Sequence, residues 1–205
     1  MNESGQMNTH ACIAKNVMAR TYTLKRRAEA QAETRRRIVE AAVELHSCVG
    51  PAKTTVSMIA EKAGVQRNTF YAHFPDERSV LLACSSHSLE QDPLPDAEVW
   101  RSIADPAARL RAGLRAIYDW YERNANLVAC VLRDAETHTL VREILALRHG
   151  PTMAQWRDVL GAGLTARQRV MLALALSYHT WRTLTQEMGL KQAEAVKAMA
   201  AAIGL

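Results

Sequence analysis

The segment QRNTFYAH, Gln66 to His73, puts six hydrogen-bonding side chains into eight residues. Arg67 offers a planar fork that fits the two acceptors on a guanine edge, and Gln66 or Asn68 can pair with the donor and acceptor of adenine. Tyr71 and His73 end in polar tips that suit phosphate oxygens. Phe70 and Phe74 are four apart and share one helix face, which with Val65 turns toward Ile59 and the interior. The opposite face then carries Gln66, Arg67, Asn68, Tyr71 and Ala72. Just upstream, Lys53, Thr54 and Thr55 open another helix, where hydroxyls and unpaired N–H groups favour an anion.

That chemistry calls for a polyanion, and the charge is distributed accordingly. The chain has 205 residues and net charge +5. Residues 1–84 carry 12 Lys+Arg against 8 Asp+Glu, net +4, whereas residues 85–205 carry 14 against 13, net +1. Eight bases and two acids lie within 15–37. A basic N-terminal third points to nucleic acid. The plainer alternative is a helical hairpin with a solvated polar face.

The elements that must position these side chains are helical. Ala and Leu abound, aromatics make up 5%, and no window alternates like a strand, so the fold class is all-α. Residues 1–27 lack periodicity and read as a flexible basic arm containing two further start codons, Met7 and Met18. A first helix runs from about Ala28 or Thr34 to Cys48, with Ile38, Ala41, Ala42, Leu45 and Val49 on one stripe, and Gly50-Pro51 ends it. Thr55 is the expected N-cap of a helix over 56–63. Gly64 supplies the turn into a short helix over about 66–73. Asp76 caps a longer one. Three short helices with a glycine turn between the second and third make a helix-turn-helix over about 55–74, within a DNA-binding domain spanning 28–90. QDPLPD, residues 91–96, is the main internal boundary.

ETRRRIVEAAVELHSCVG followed by TTVSMIAEKAGVQRNTFYAHFPDERSVLLA resembles the DNA-binding domain of TetR-family transcriptional regulators. The diagnostic pieces are TT, IAEKAGV, TFYAHF and the apolar helix start after Pro75, and the likeness covers about residues 32–92. It implies a homodimer with one helix-turn-helix per subunit and a C-terminal all-α domain for ligand binding and dimerisation. By position, Thr55 resembles the family's phosphate-contacting threonine. Arg67 and Asn68 fall where the family reads bases, with Thr69 beside them, and Tyr71 and His73 fall at its phosphate-contacting pair. One residue departs. Where the family usually has a lysine reaching a phosphate, this chain has Glu77, with Arg78 next to it; either Arg78 takes over that contact or the contact is weaker.

Residues 91–205 read as the C-terminal effector-binding and dimerisation domain. Helices are expected over about 106–122, 126–150 as one or two pieces, 151–160, 165–188 and 191–203. Leu164, Val170, Leu172, Leu174, Leu176, Leu184, Val196, Met199 and Ile203 exceed what one small core accepts, so the last two helices are expected to dock on a partner's pair in a four-helix bundle. Trp120, Trp156 and His179 are candidate ligand contacts in an apolar pocket for a small, partly apolar effector.

Several classes of function find no support. No apolar run reaches membrane-spanning length and no secretory segment opens the chain, so a cytoplasmic protein is expected. Cys12, Cys48, Cys84 and Cys130 form no CxxC pair and are expected to be free thiols, buried as small apolar residues. His138, His149 and His179 are too far apart to argue for a metal, and no cofactor is expected. No GxSxG, HExxH or phosphate loop is present, which argues against an enzyme. The expected function is a ligand-released repressor bound as a dimer to a palindromic operator. The alternatives are an activator, or a DNA-organising or partner-regulated protein with the same head and no effector.

Overall fold

Residues 6–49 contain neither glycine nor proline, and the computed structural model carries them as one helix, α1 (Gln6–Cys48). The structure describes residues 6–205, with side chains from Leu24 onward. The segment expected to be a flexible arm is therefore helical from Gln6, and its first five residues lie outside the described residues. Ala, Arg, Lys, Glu and Met propagate a helix without any stripe. Periodicity reports burial, and residues 24–33 are exposed along their whole length. The stripe begins where contact does, at Ile38.

Gly50 ends α1 at φ 93. A turn of 3-10 helix (Pro51–Lys53) leads to α2 (Val56–Ala63), capped by Thr55, whose hydroxyl oxygen accepts from Met58 N at 3.3 Å. Gly64 closes α2 in the left-handed region (φ 65), a conformation that costs other residues dearly. There follow α3 (Arg67–His73) and α4 (Glu77–Gln91), the latter opened by an Asp76–Ser79 capping box. Ile38, Ala42, Ile59, Phe70, Phe74, Val80 and Cys84 form the core of this N-terminal unit.

After loop 92–97 come α5 (Glu98–Arg101), α6 (Pro106–Arg123), α7 (Ala125–Ala135), α8 (Thr139–Leu160), α9 (Ala166–Ala175), α10 (Tyr178–Arg182) and α11 (Gln192–Ile203). Their core centres on Leu110, Leu114, Ile117, Tyr121, Trp156 and Trp181. A third cluster, Leu81, Ala135, Val141 and Ile144, joins α4 to α7 and α8. No strand occurs among the described residues.

Two expected breaks fall elsewhere. Pro151, expected to start a helix, lies inside α8. A proline removes one ladder bond, and Gly150 before it has no Cβ to clash with the ring. The helix expected over 165–188 is instead split into α9, α10 and a π-helical turn over Thr183–Glu187. Tyr118 Oη donates to Ala175 O at 2.9 Å and Tyr121 Oη donates to Leu176 O at 2.7 Å, drawing both carbonyls out of the ladder just where it ends. Ser177 then caps α10.

Of the nine apolar residues assigned to a dimer bundle, Leu164, Leu172, Leu176, Val196, Met199 and Ile203 are buried within the chain itself, and Leu184 is half-buried. They pack beneath α6, to which α11 is closely applied. Val170 (63% exposed) and Leu174 (51%) remain on the outer face of α9.

Candidate nucleic-acid interface and effector cavity

Phe70 and Phe74 anchor α3 in the core with ring centroids 5.8 Å apart. Their burial turns Gln66, Arg67, Asn68 and Tyr71 to solvent, Tyr71 being 45% exposed, while Thr69 and His73 are half-buried at its flank. Arg35 fixes the end of α3: Nη1 donates to His73 O at 3.3 Å, and its guanidinium lies 4.2 Å from the Phe74 centroid. Arg36 is held by Glu33 at 2.7 Å and Glu40 at 2.6 Å. Part of the basic cluster thus braces helices and is not free for a partner.

The two threonines separate. Thr55 caps α2 as an acceptor, leaving its hydroxyl hydrogen free to donate outward. Thr54, expected to meet phosphate, donates inward to Gly50 O at 2.8 Å and serves as a strut. Arg78, expected to replace a missing phosphate contact, is paired with Glu143 of α8 at 3.1 Å, and Glu77 lies 3.1 Å from His138 Nε2. Both residues face the C-terminal half because the first turn of α4 abuts the α7–α8 corner, a juxtaposition no local pattern reveals.

A polar junction ties the two halves. Asp134, at the end of α7, is buried. Its Oδ2 accepts from Ala52 N at 2.9 Å and its Oδ1 from Arg133 Nε at 2.8 Å, and Arg133 Nη2 donates to Val49 O at 2.8 Å. Partial burial opposes its ionisation, but the bonds from Arg133 and the Ala52 N–H outweigh that and hold it below the usual carboxylate range. A Cβ on Gly50 would run into Arg133 and Asp134, so this close approach requires glycine independently of its φ.

Behind the junction lies a cavity of about 520 Å³ between α1, α4 and the helices α6 to α10. Trp120, Trp156 and His179 all line it. The two indoles are walls whose N–H groups are already used: Trp120 Nε1 donates to Asp92 O at 3.0 Å and Trp156 Nε1 to Pro95 O at 2.8 Å, pinning loop 92–97. Sequence reasoning missed His46 and Arg148. His46 lies on the buried stripe of α1, 5% exposed, and lines the cavity; burial pushes its ring down to about 4, though the Asp134 carboxylate nearby pulls the other way. Arg148 bridges α8 to α4, donating to Ser86 Oγ at 2.7 Å and Ser85 Oγ at 3.3 Å. Nothing in their spacing distinguishes either from an ordinary helical residue.

The cysteines divide as well. Cys84 and Cys130 are buried thiols, and burial pushes Cys84 up to about 12. Cys48 is exposed, contrary to expectation, because it falls one position off the α1 stripe. Cys12 has no described side chain. No group of His, Cys, Asp and Glu able to hold a metal occurs among the described residues, and none of their helices is long and apolar enough to cross a membrane.

A sequence model of the tetR family of bacterial regulatory proteins matches residues 38–84. The HTH-type transcriptional regulator SrpR of Pseudomonas putida is 44% identical over 81 residues, which is 38% of this chain and 38% of SrpR. A second curated regulator of that species matches at the same identity over 60% of its own length; the matched part is thus well short of either relative's full length. Among solved structures, a TetR-family transcriptional regulator from Streptomyces coelicolor superposes with TM-score 0.56 at 19% identity, covering 84% of this chain and 79% of that one. The transcriptional regulator FadR from Bacillus subtilis, solved in complex with stearoyl-CoA, gives 0.57 at 17%, covering 82% and 96%. At these identities the likeness is one of fold, and it extends through the C-terminal helices. Over residues 38–84, which hold its helix-turn-helix, the chain is similar to the tetR family of bacterial regulatory proteins.

Proposed function

We propose that this protein is a cytoplasmic, sequence-specific DNA-binding transcriptional regulator, a repressor that a small molecule releases from a palindromic operator. The observation that carries the reading is the presentation of α3: with Phe70 and Phe74 locked inward, Arg67, Asn68 and Gln66 are left outward for base edges. Tyr71, His73, Thr69 and the hydroxyl of Thr55 flank them for phosphate. The domains are a DNA-binding unit over 28–90 and an effector and dimerisation unit over 91–205. The exposed Val170 and Leu174 on α9 support dimerisation through that face, which would set two α3 helices about one turn of DNA, roughly 34 Å, apart.

The cavity supports an effector. It touches α1 and α4 as well as the C-terminal helices, so its occupant can prefer one relative placement of the halves, and such coupling is typically worth ~1–3 kcal/mol. That a protein of this fold, the Bacillus subtilis FadR, is seen with stearoyl-CoA favours a partly apolar molecule.

The test is electrophoretic shift of the DNA upstream of the protein's own gene. A sequence-selective shift that weakens steeply with salt is expected; equal retention of unrelated DNA would sink the reading.

A further inference from the structure

The effector cavity carries a charge signature. Arg142, Arg148 and Arg157 bring positive charge to its wall, His46, His149 and His179 add imidazoles, and no Asp or Glu contributes among the described residues. The rest of the wall is mostly aliphatic and aromatic. An unpaired cation entering such a space meets positive charge and finds no carboxylate. An apolar body carrying an oxygen acceptor or hydroxyl meets neither obstacle.

Two of these groups are bonded to the protein, whereas the buried Nδ1 of His149 is not. Arg148 is bonded to Ser85 and Ser86, and Arg142 to the carbonyls of Ala135 and Glu136. The His46 side chain, at 5% exposure, makes no hydrogen bond to any described residue. The His46 ring borders the cavity and so keeps donor and acceptor capacity that an occupant can use.

Its position is equally specific. His46, Pro51 and Leu81 line the effector cavity on one side. On the other they line a smaller cavity of about 320 Å³ whose walls include Ile59, Phe70 and Tyr71 of the helix-turn-helix. His46 is thus part of the partition between the effector space and the underside of α3.

We propose that the effector is an apolar molecule bearing a hydrogen-bonding oxygen, uncharged or anionic but not cationic, and that His46 of α1 is the binding residue that receives this oxygen. The proposal rests on the effector reading above and extends it to a ligand class and a contact. Neutral imidazole, the form that burial favours here, can accept from a hydroxyl or donate to a carbonyl or carboxylate. Occupancy then bears directly on a helix of the DNA-binding unit and on the partition beneath α3.

A matched series tests it: decanol, decanoate and decyltrimethylammonium, which share one tail and differ in head group, titrated calorimetrically into the full-length protein. Decanol and decanoate are expected to bind at least about tenfold tighter than the cation. His46→Leu is expected to lose about tenfold for both oxygen-bearing probes, and His46→Gln to lose less. Imidazole resonances of His46 in the unaltered protein should move on adding decanol, a readout that does not depend on either variant folding. Equal binding of the cation, no binding of any probe, unchanged affinity in a folded His46→Leu, or unmoved His46 resonances would each overturn the proposal. The DNA shift is measured separately. A protein that shifts DNA but binds no probe refutes this inference alone, whereas one that binds the probes as expected but shifts no DNA refutes the repressor reading and leaves the site standing.

Discussion

Arg67 and Tyr71 share one exposed face of α3 but differ in what they can recognise. A guanidinium fork discriminates between bases, whereas a phenol on phosphate does not. Arg67→Ala should therefore cost ~1–3 kcal/mol at a single operator position and relax the preference there. Tyr71→Phe should weaken binding to all sequences alike. Selection from a randomised DNA pool distinguishes them, and an unchanged preferred sequence for Arg67→Ala would remove it from base reading. His46 gives a prediction in pH. Its ring is pushed down to about 4 from 6.5, with burial the main cause and the Asp134 carboxylate, itself held by Arg133, as the charge facing it. Above pH 6.5 the ring is neutral in both folded and unfolded chains and nothing is lost. As pH falls from 6.5 to 4 the unfolded chain takes up the proton and the folded one does not, so stability should drop by up to about 3 kcal/mol. Asp134 titrates below the usual carboxylate range, and therefore outside that window. Urea unfolding at pH 7 and pH 4.5 measures the drop, and His46→Gln should reduce it, leaving the share of His149, which burial also pushes down.

At the scale of elements, a few hydrogen bonds between helices decide where other helices stop. Tyr121 Oη on Leu176 O and Tyr118 Oη on Ala175 O end α9 and let α10 start at a new angle, which brings Tyr178 and His179 to the cavity wall. Tyr121→Phe leaves a buried carbonyl without its partner and should cost about 1–3 kcal/mol. Hydrogen exchange over 174–181 should quicken in that variant more than in the N-terminal helices; a uniform change across the chain would show that the bond does not act locally. Both ends of α2 and the start of α4 were legible in the sequence because Thr55, Gly64 and Asp76 are local signals. The split of α9 from α10 was not, because its cause lies on α6, more than fifty residues away.

For the whole molecule, the question is how two cores act together. The α4 helix links them, since Val80 and Cys84 pack toward α1 while Leu81 packs on Val141 and Ile144 in the third cluster. With Asp134 bridging to Ala52 N and Arg78 to Glu143, the helix-turn-helix is mounted on the wall of the cavity. The ion pairs are exposed and each contributes at most ~1 kcal/mol; the apolar seam and the buried Asp134 carry more of the coupling. Dimerisation belongs to this scale too. Val170→Glu with Leu174→Glu places two carboxylates on the exposed face of α9 without disturbing the buried residues of α11. Light scattering should then report a monomer, and operator affinity should fall at least about tenfold as the second half-site is lost. A double variant that remains dimeric would move the interface elsewhere.

The all-helical fold, the helix-turn-helix and the outward face of α3 were determined by the sequence itself. Capping residues, a left-handed glycine and i, i+4 aromatics act over a few positions and need no distant partner. Which surplus apolar residues close the chain's own core, which way Thr54, Glu77 and Arg78 turn, and that His46 borders a cavity were decided only by tertiary structure. Each depends on which helix arrives opposite, and a helix's own periodicity records that a face is covered without recording what covers it.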